Sequence, residues 1–253
     1  MVLYILLGII QGLTEFLPIS SSGHLVLLQN IFGFKGEELE ISIVLHLGTL
    51  LAVVIFFFGQ IKQALRNIRI IGFITVVTAI TAVVAVLTKD MVELLFSSAK
   101  VLVFSWLFSG LLLIYTKKVP LNTRNNINTT DSVFVGLSQA VAIIPGISRS
   151  GITIATLLLR GVDKLNAFSF SFLISIPAVL GATLLEAKEI NFAFTKNPID
   201  FFMGFLSSFV SGLFGLWLLK RILTKAGFYW FGYYCLVMGV LSGVLIYLGL
   251  LKI

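Results

Sequence analysis

The chain has 253 residues, of which 58% are hydrophobic and only 11% are charged. Because a soluble domain carries about 25% charged residues, this composition excludes an ordinary soluble protein and indicates an integral membrane protein. The net charge of +7 comes from lysines and arginines in a few short loops between apolar segments, so we expect no nucleic-acid partner.

Six apolar segments approach the length of about 20 residues that a membrane-spanning helix needs. They are residues 41–59, 68–88, 99–116, 165–186, 200–220 and 228–250. Two further apolar regions, 1–33 and 133–160, are each interrupted by a polar motif rich in serine and glycine. Since each half of such a region is short for a crossing, we predict two re-entrant hairpins, each made of two short helices.

The two interrupted regions repeat each other. GIIQGLTEFLPISSSG at 8–23 aligns without a gap with GLSQAVAIIPGISRSG at 136–151, an offset of 128 residues. We therefore predict an all-α membrane domain over 1–253, with a first repeat at 1–116 and a second at 133–253. Each repeat holds one hairpin and three crossings, and three is odd, so the second repeat should be inverted. Inversion brings the two polar tips together from opposite membrane faces.

Loop charges agree with this topology. Basic residues concentrate in residues 60–69, in the linker 117–132 and in residues 220–225. Such loops mark the cytoplasmic side of a membrane, so the linker is predicted to be cytoplasmic. The alternate loops, 34–40, 89–98 and 186–200, carry no basic excess.

A candidate metal site precedes the first tip. Gln11 and Glu15 are four residues apart and therefore share one face of a helix. A carboxylate and an amide oxygen placed in this way can hold a divalent cation such as Mg²⁺ or Ca²⁺, with waters and substrate oxygens completing the shell. The alternative is that Glu15 only snorkels toward the membrane surface or hydrogen-bonds to a neighbouring helix.

The first tip itself is rich in hydroxyl groups. Ser20, Ser21, Ser22 and Gly23 open a new helix and are followed by His24. Hydroxyls and a helix N-terminus suit an anion, a serine can be a nucleophile, and histidine can transfer protons near neutral pH. An ordinary helix cap, with the histidine hydrogen-bonded to a carbonyl group, is the alternative.

The second tip adds a positive charge. Arg149 lies between Ser148 and Ser150, with Gly151 next, in the middle of an apolar region. A guanidinium at membrane depth costs roughly 2.5–3.5 kcal/mol on insertion scales, so it requires an anionic partner. Phosphate suits its bidentate geometry, and a structural ion pair with Glu15 is the alternative.

Residues outside the motifs receive plainer interpretations. His46 is expected to be a packed, hydrogen-bonded residue, and Cys235, the only cysteine, is expected to be a small packing residue. The three tryptophans, Trp106 among them, are interpreted as membrane-interface anchors.

Together, QGLTEFLPISSSGHL at 11–25 and PGISRSG at 145–151 resemble the undecaprenyl pyrophosphate phosphatase family of the bacitracin-resistance type. The resemblance extends over essentially the whole chain. It implies hydrolysis of the terminal phosphate of a C55 polyprenyl pyrophosphate in the bacterial plasma membrane, which yields the lipid carrier for cell-wall synthesis. The expected partners are this lipid, the bilayer and a second copy of the chain. An inverted-repeat transporter or flippase for lipid phosphate or a small anion is the alternative function.

The resemblance also assigns roles to the motif residues. Glu15, with Gln11, would organise the cation, although Gln11 stands where the family also allows glutamate. Ser21 would be the nucleophile and His24 the proton-transfer group, while His24 or a metal-bound water could instead attack. The phosphate-binding set would comprise Arg149 with Ser20, Ser22, Gly23, Ser148, Ser150 and Gly151.

Overall fold

The computed structural model describes residues 1–32, 38–96, 98–118, 123–188, 198–225 and 227–250. These residues form helices and no β-strand. In chain order the helices are α1 Val2–Phe16, α2 Ser21–Phe32, α3 Glu38–Phe56, α4 Phe58–Ala64, α5 Ile68–Leu87, α6 Lys89–Phe96, α7 Ala99–Tyr115, α8 Thr129–Val141, α9 Arg149–Leu159, α10 Lys164–Lys188, α11 Pro198–Lys225 and α12 Trp230–Tyr247. Within the described residues, five segments can cross a membrane by length and composition, and α3 with α4 make a sixth if they form one bent span. The chain is therefore a multi-pass membrane protein.

Both interrupted regions are pairs of short helices, as predicted. Helices α1, α2, α8 and α9 contain 15, 12, 13 and 11 residues, which is too short for a crossing. Helix α1 ends where it does because Pro18 restricts the residue before it, and Leu17 is accordingly extended, with ψ 141°. Each pair therefore turns at its polar motif.

The structure corrects three predicted boundaries. The segment predicted at 41–59 ends at Phe56, where the chain bends by 73° into α4. Residues 89–98, predicted to be a loop, contain helix α6. The basic residues at 220–225 lie in the last turns of α11, because lysine and arginine are good helix formers. Residues 33–37, 119–122 and 189–197 lie outside the described residues. They belong to the end of the first interrupted region, to predicted loops and to the linker.

The two halves of the chain contact each other through their hairpins. The hairpin helix α1 packs on α11, and its counterpart α8 packs on α5, so each hairpin contacts the opposite half. Small residues permit the first of these contacts: a Cβ added to Gly12 would lie 2.5 Å from the carbonyl oxygen of Ser208 and 2.7 Å from the nitrogen of Gly212. The predicted inversion of the second half relative to the membrane stays a prediction.

A buried carboxylate fastens the base of the second hairpin. Asp131 accepts hydrogen bonds from Arg124 Nη2 (2.7 Å), from Arg160 Nε (2.6 Å) and from the backbone N–H of Asn128 (2.9 Å). Burial raises the pKa of the Asp131 carboxyl, but these hydrogen bonds outweigh burial and hold the pKa below its usual value. The cluster ties the linker to the start of α8 and the end of α9.

Candidate active site

The repeated motif folds into the same helix cap in both tips. Ser20 Oγ accepts the backbone N–H of Gly23 at 3.2 Å, and Ser148 Oγ accepts that of Gly151 at 3.1 Å. In each tip the capping hydroxyl also lies 3.3 Å from the hydroxyl two residues later. The shared Ser-x-Ser-Gly pattern therefore satisfies the first turns of α2 and α9.

The tips differ in backbone strain. Ser20 has φ +69°, a left-handed conformation that is costly for a residue with a Cβ. Its counterpart Ser148 has an ordinary φ of −75°, because Gly146, with φ +89°, makes the turn in the second tip. Strain is thus concentrated in the residue that precedes Ser21.

An ion pair joins the two tips. Arg149 Nη2 donates to Glu15 Oε1, with side chains 19% and 7% exposed. The backbone N–H of Gly146 also donates to Ser22 Oγ at 3.3 Å. The ion pair considered above as an alternative to phosphate binding is therefore present, and it places the hydroxyl-rich tip beside the arginine tip.

Three further side chains converge on the other oxygen of Glu15. Ser21 Oγ donates to Glu15 Oε2 at 2.6 Å, and Gln11 Nε2 does so at 3.3 Å. His46 Nε2 lies 3.9 Å from the same oxygen. Glu15 therefore accepts the hydrogen bond of the Ser21 hydroxyl, and His46, which the sequence indicates only as a packed residue, borders the site.

His24 faces away from this cluster. Its Nδ1 lies 2.7 Å from the carbonyl oxygen of Ser20, so Nδ1 must carry the proton. In the neutral ring Nε2 then accepts from the hydroxyl of Tyr234, 2.7 Å away. The described contacts of His24 include no hydrogen bond to Ser21. The carbonyl-bonded histidine considered above as an alternative is thus realised, and Tyr234 is a neighbour that the motifs do not indicate.

Two residues of other helices support the first tip from behind. Trp106 is fully buried, and its Nε1 donates to the carbonyl oxygen of Ile19 at 3.0 Å. The interpretation of this tryptophan as an interface anchor is therefore wrong. The thiol of Cys235, also fully buried, donates to the carbonyl oxygen of Pro18 at 3.4 Å, so its role as a small packing residue is confirmed.

The oxygen donors near Glu15 fit a divalent cation when substrate oxygens are added. Gln11 is fully buried, and its Oε1 has no hydrogen-bond partner among the described residues. Rotating the amide would turn this oxygen toward Glu15. The described residues include no group of three or more His, Cys, Asp or Glu placed to hold a metal, so further ligands, substrate oxygens among them, must complete the shell.

Comparisons with known proteins identify the family of this chain. Residues 4–241 match the family model "Bacitracin resistance protein BacA". The chain is 41% identical over 245 residues to an undecaprenyl-diphosphatase of Carboxydothermus hydrogenoformans, covering 93% of this chain and 94% of that protein. Proteins of the same name from Thermotoga petrophila (40% identity, 94% and 98% covered) and Protochlamydia amoebophila (38%, 92% and 94%) are also similar. The chain therefore belongs to the BacA family of bacitracin resistance proteins.

Proposed function

We propose that this protein is an undecaprenyl-diphosphatase of the bacterial plasma membrane, which removes the terminal phosphate of the C55 lipid. The observation that carries the proposal is the meeting of Ser21, Glu15 and Arg149 from two separate tips. The family membership and the names of the relatives give the same activity. The product would be the monophosphate carrier used in cell-wall synthesis, and removal of the diphosphate accounts for bacitracin resistance.

Ser21 is the attacking group in this proposal. Its hydroxyl proton passes to Glu15 Oε2, 2.6 Å away, as Oγ bonds to the terminal phosphorus. The bond from that phosphorus to the bridging oxygen breaks, and the prenyl monophosphate leaves with the bonding electrons. Glu15 then returns the Ser21 proton to solvent. Water attacks the phosphoserine and gives a proton to Glu15, which passes it to Ser21 Oγ as the bond from phosphorus to Oγ breaks and phosphate leaves. Glu15 serves as base in both steps.

Arg149 binds the phosphate oxygens. In the free protein it pairs with Glu15, and a bound diphosphate offers it a more highly charged partner with matching geometry. Helices α2 and α9 have their N-termini at the two tips, where the helix dipoles favour an anion. Phosphoryl transfer depends mainly on such positioning and charge neutralisation.

A divalent cation, Mg²⁺ or Ca²⁺, belongs to the proposal. Glu15 and Gln11 would hold it once Arg149 has turned to the phosphate. When bound, it neutralises charge on the diphosphate oxygens. His24 is assigned to positioning, because its Nδ1–H holds the carbonyl of the strained Ser20 while Tyr234 occupies its other nitrogen.

The test is phosphate release by the purified protein from undecaprenyl diphosphate in detergent, with farnesyl diphosphate as the short-chain comparison. We expect release from the C55 lipid that EDTA abolishes and Mg²⁺ or Ca²⁺ restores. Movement of lipid phosphate across sealed liposomes without phosphate release would instead support the transporter alternative. A homodimer is also proposed, and light scattering of the detergent complex tests it.

A further inference from the structure

We propose that His46 is a third protein ligand of the divalent cation, so that the site combines nitrogen and oxygen donors. This inference rests on the proposed function, because it concerns the cation that Glu15 and Gln11 would hold. His46 lies on α3, outside both repeated motifs. It approaches Glu15 on α1, the helix against which α3 packs.

Hydrogen bonding determines which nitrogen of His46 is free. Nδ1 lies 2.8 Å from the carbonyl oxygen of Ser42, which can only accept, so Nδ1 carries the proton. In the neutral ring Nε2 therefore presents a lone pair, and it faces Glu15 Oε2. A histidine that donates one ring N–H to a backbone carbonyl and presents the other nitrogen is the usual arrangement of a metal ligand.

The separation also suits a shared ion. At 3.9 Å, His46 Nε2 and Glu15 Oε2 are too far apart for a direct hydrogen bond. Two atoms that each bind one ion at about 2.1 Å can be up to about 4.2 Å apart, so a cation can bridge them. A carboxylate oxygen has two lone-pair sites. Ser21 Oγ occupies one of them on Glu15 Oε2 at 2.6 Å, and the ion would take the one now used by the Gln11 amide at 3.3 Å, once that amide turns its oxygen to the ion.

The second repeat provides an internal comparison. Gln139, the counterpart of Gln11, also has a buried Oε1 without a hydrogen-bond partner among the described residues. However, Ile143 stands where the first repeat has Glu15. An orphaned amide oxygen alone therefore does not indicate a metal site, and the inference depends on the carboxylate and the imidazole together.

The imidazole makes a chemical prediction about the cation. Imidazole suits ions such as Zn²⁺, Fe²⁺ and Ni²⁺, whereas carboxylate, carbonyl and water ligands suit Mg²⁺, Ca²⁺ and Mn²⁺. We therefore expect His46 to favour Zn²⁺ or Ni²⁺ over Ca²⁺. Because losing even an outer-shell partner of a ligand costs roughly tenfold or more in metal affinity, replacing His46 by glutamine, which keeps an oxygen donor, should weaken Zn²⁺ binding by at least about tenfold and leave Ca²⁺ binding largely unchanged.

Electron spin echo spectroscopy of bound Mn²⁺ tests the ligand directly, without turnover. The full chain in detergent is loaded with Mn²⁺ and methylenediphosphonate, a diphosphate that cannot be hydrolysed at its bridge. We expect ¹⁴N modulation from a coordinated imidazole in the wild type and in His24→Gln, and its loss in His46→Gln. The chain has only two histidines, so these variants account for both imidazoles.

Each other outcome overturns the inference. Bound Mn²⁺ with ³¹P coupling but no ¹⁴N modulation would remove His46 from the site and leave the proposed cation in place, as expected if His46 and Glu15 form only an ion pair. If the ¹⁴N modulation were lost in His24→Gln but kept in His46→Gln, His24 would be the ligand and the inference about His46 would be wrong. Failure of Mn²⁺ to bind the wild type would overturn both the ligand and the proposed cation.

Discussion

The ion pair between Glu15 and Arg149 should couple the two halves energetically, and a double-mutant cycle measures this coupling. We would compare Glu15→Gln, Arg149→Met and the double variant with the wild type. Each single change leaves one charge without its partner in a site where the side chains are only 7% and 19% exposed. The double variant removes both charges, so it should be less destabilised than the sum of the single changes.

The expected magnitude follows from the burial of the pair. Removing one partner of a buried ion pair costs about 3–5 kcal/mol. Partial exposure of Arg149 and the hydrogen bonds that Glu15 keeps with Ser21 and Gln11 reduce this to about 2–3 kcal/mol for each single variant. We expect about 2 kcal/mol for the double variant, which gives a coupling energy of about 2–4 kcal/mol.

The assay is reversible unfolding by SDS in bicelles, followed by tryptophan fluorescence. The exposed pair Lys89–Glu93, with 3.7 Å between charged atoms and side chains 60% and 65% exposed, is the matched control. Its cycle should give a coupling of roughly 0.5 kcal/mol or less. Additive effects of Glu15→Gln and Arg149→Met would refute the conclusion that the two tips meet in a buried ion pair.

Three further predictions test other contacts. Tyr234→Phe should shift the ¹⁵N signal of the His24 side chain and lower turnover about fivefold, which is the value of one hydrogen bond. The control Tyr233→Phe should change neither the signal nor the turnover. An unchanged His24 signal in Tyr234→Phe would contradict the contact. Gly12→Ala should destabilise the fold by about 1–3 kcal/mol. The control Gly72→Ala should not, because a Cβ added there meets nothing within 4 Å. Equal melting temperatures of the two variants would exclude the close packing of α1 on α11. Asp131→Asn should lower the melting temperature at pH 7. The pKa of this carboxyl is lower in the folded than in the unfolded protein. Its contribution to the free energy of unfolding is therefore complete above the unfolded pKa, at about pH 4, and is lost as the pH falls through the folded pKa. The melting temperatures of the wild type and of Asp131→Asn should accordingly converge in acid.

Much of the architecture could be predicted because its signals are local. Long apolar segments identify the crossings, and the Pro18 and Gly146 breaks identify the two hairpins. The alignment of Ser20 with Ser148 correctly indicates a shared helix cap, since capping requires a hydroxyl and an N–H only three residues apart.

The residues that could not be predicted act through contacts between distant segments. His46 and Tyr234 lie on helices without a motif, and their roles depend on how α3 and α12 pack beside the first tip. The sequence favours an interface anchor for Trp106, because tryptophan is common at membrane interfaces. Its indole N–H instead donates to the backbone carbonyl of Ile19, which lies beyond the end of α1. One signal was available: a histidine within a long apolar segment is costly unless it has a polar partner.

The central claim is that one active site is divided between the two tips, and turnover of one variant from each tip tests it most directly. Phosphate release from undecaprenyl diphosphate should fall at least about 100-fold in both Glu15→Ala and Arg149→Ala. Arg66→Ala, which changes an exposed arginine after α4, should retain wild-type turnover. Wild-type turnover in both Glu15→Ala and Arg149→Ala would contradict the claim.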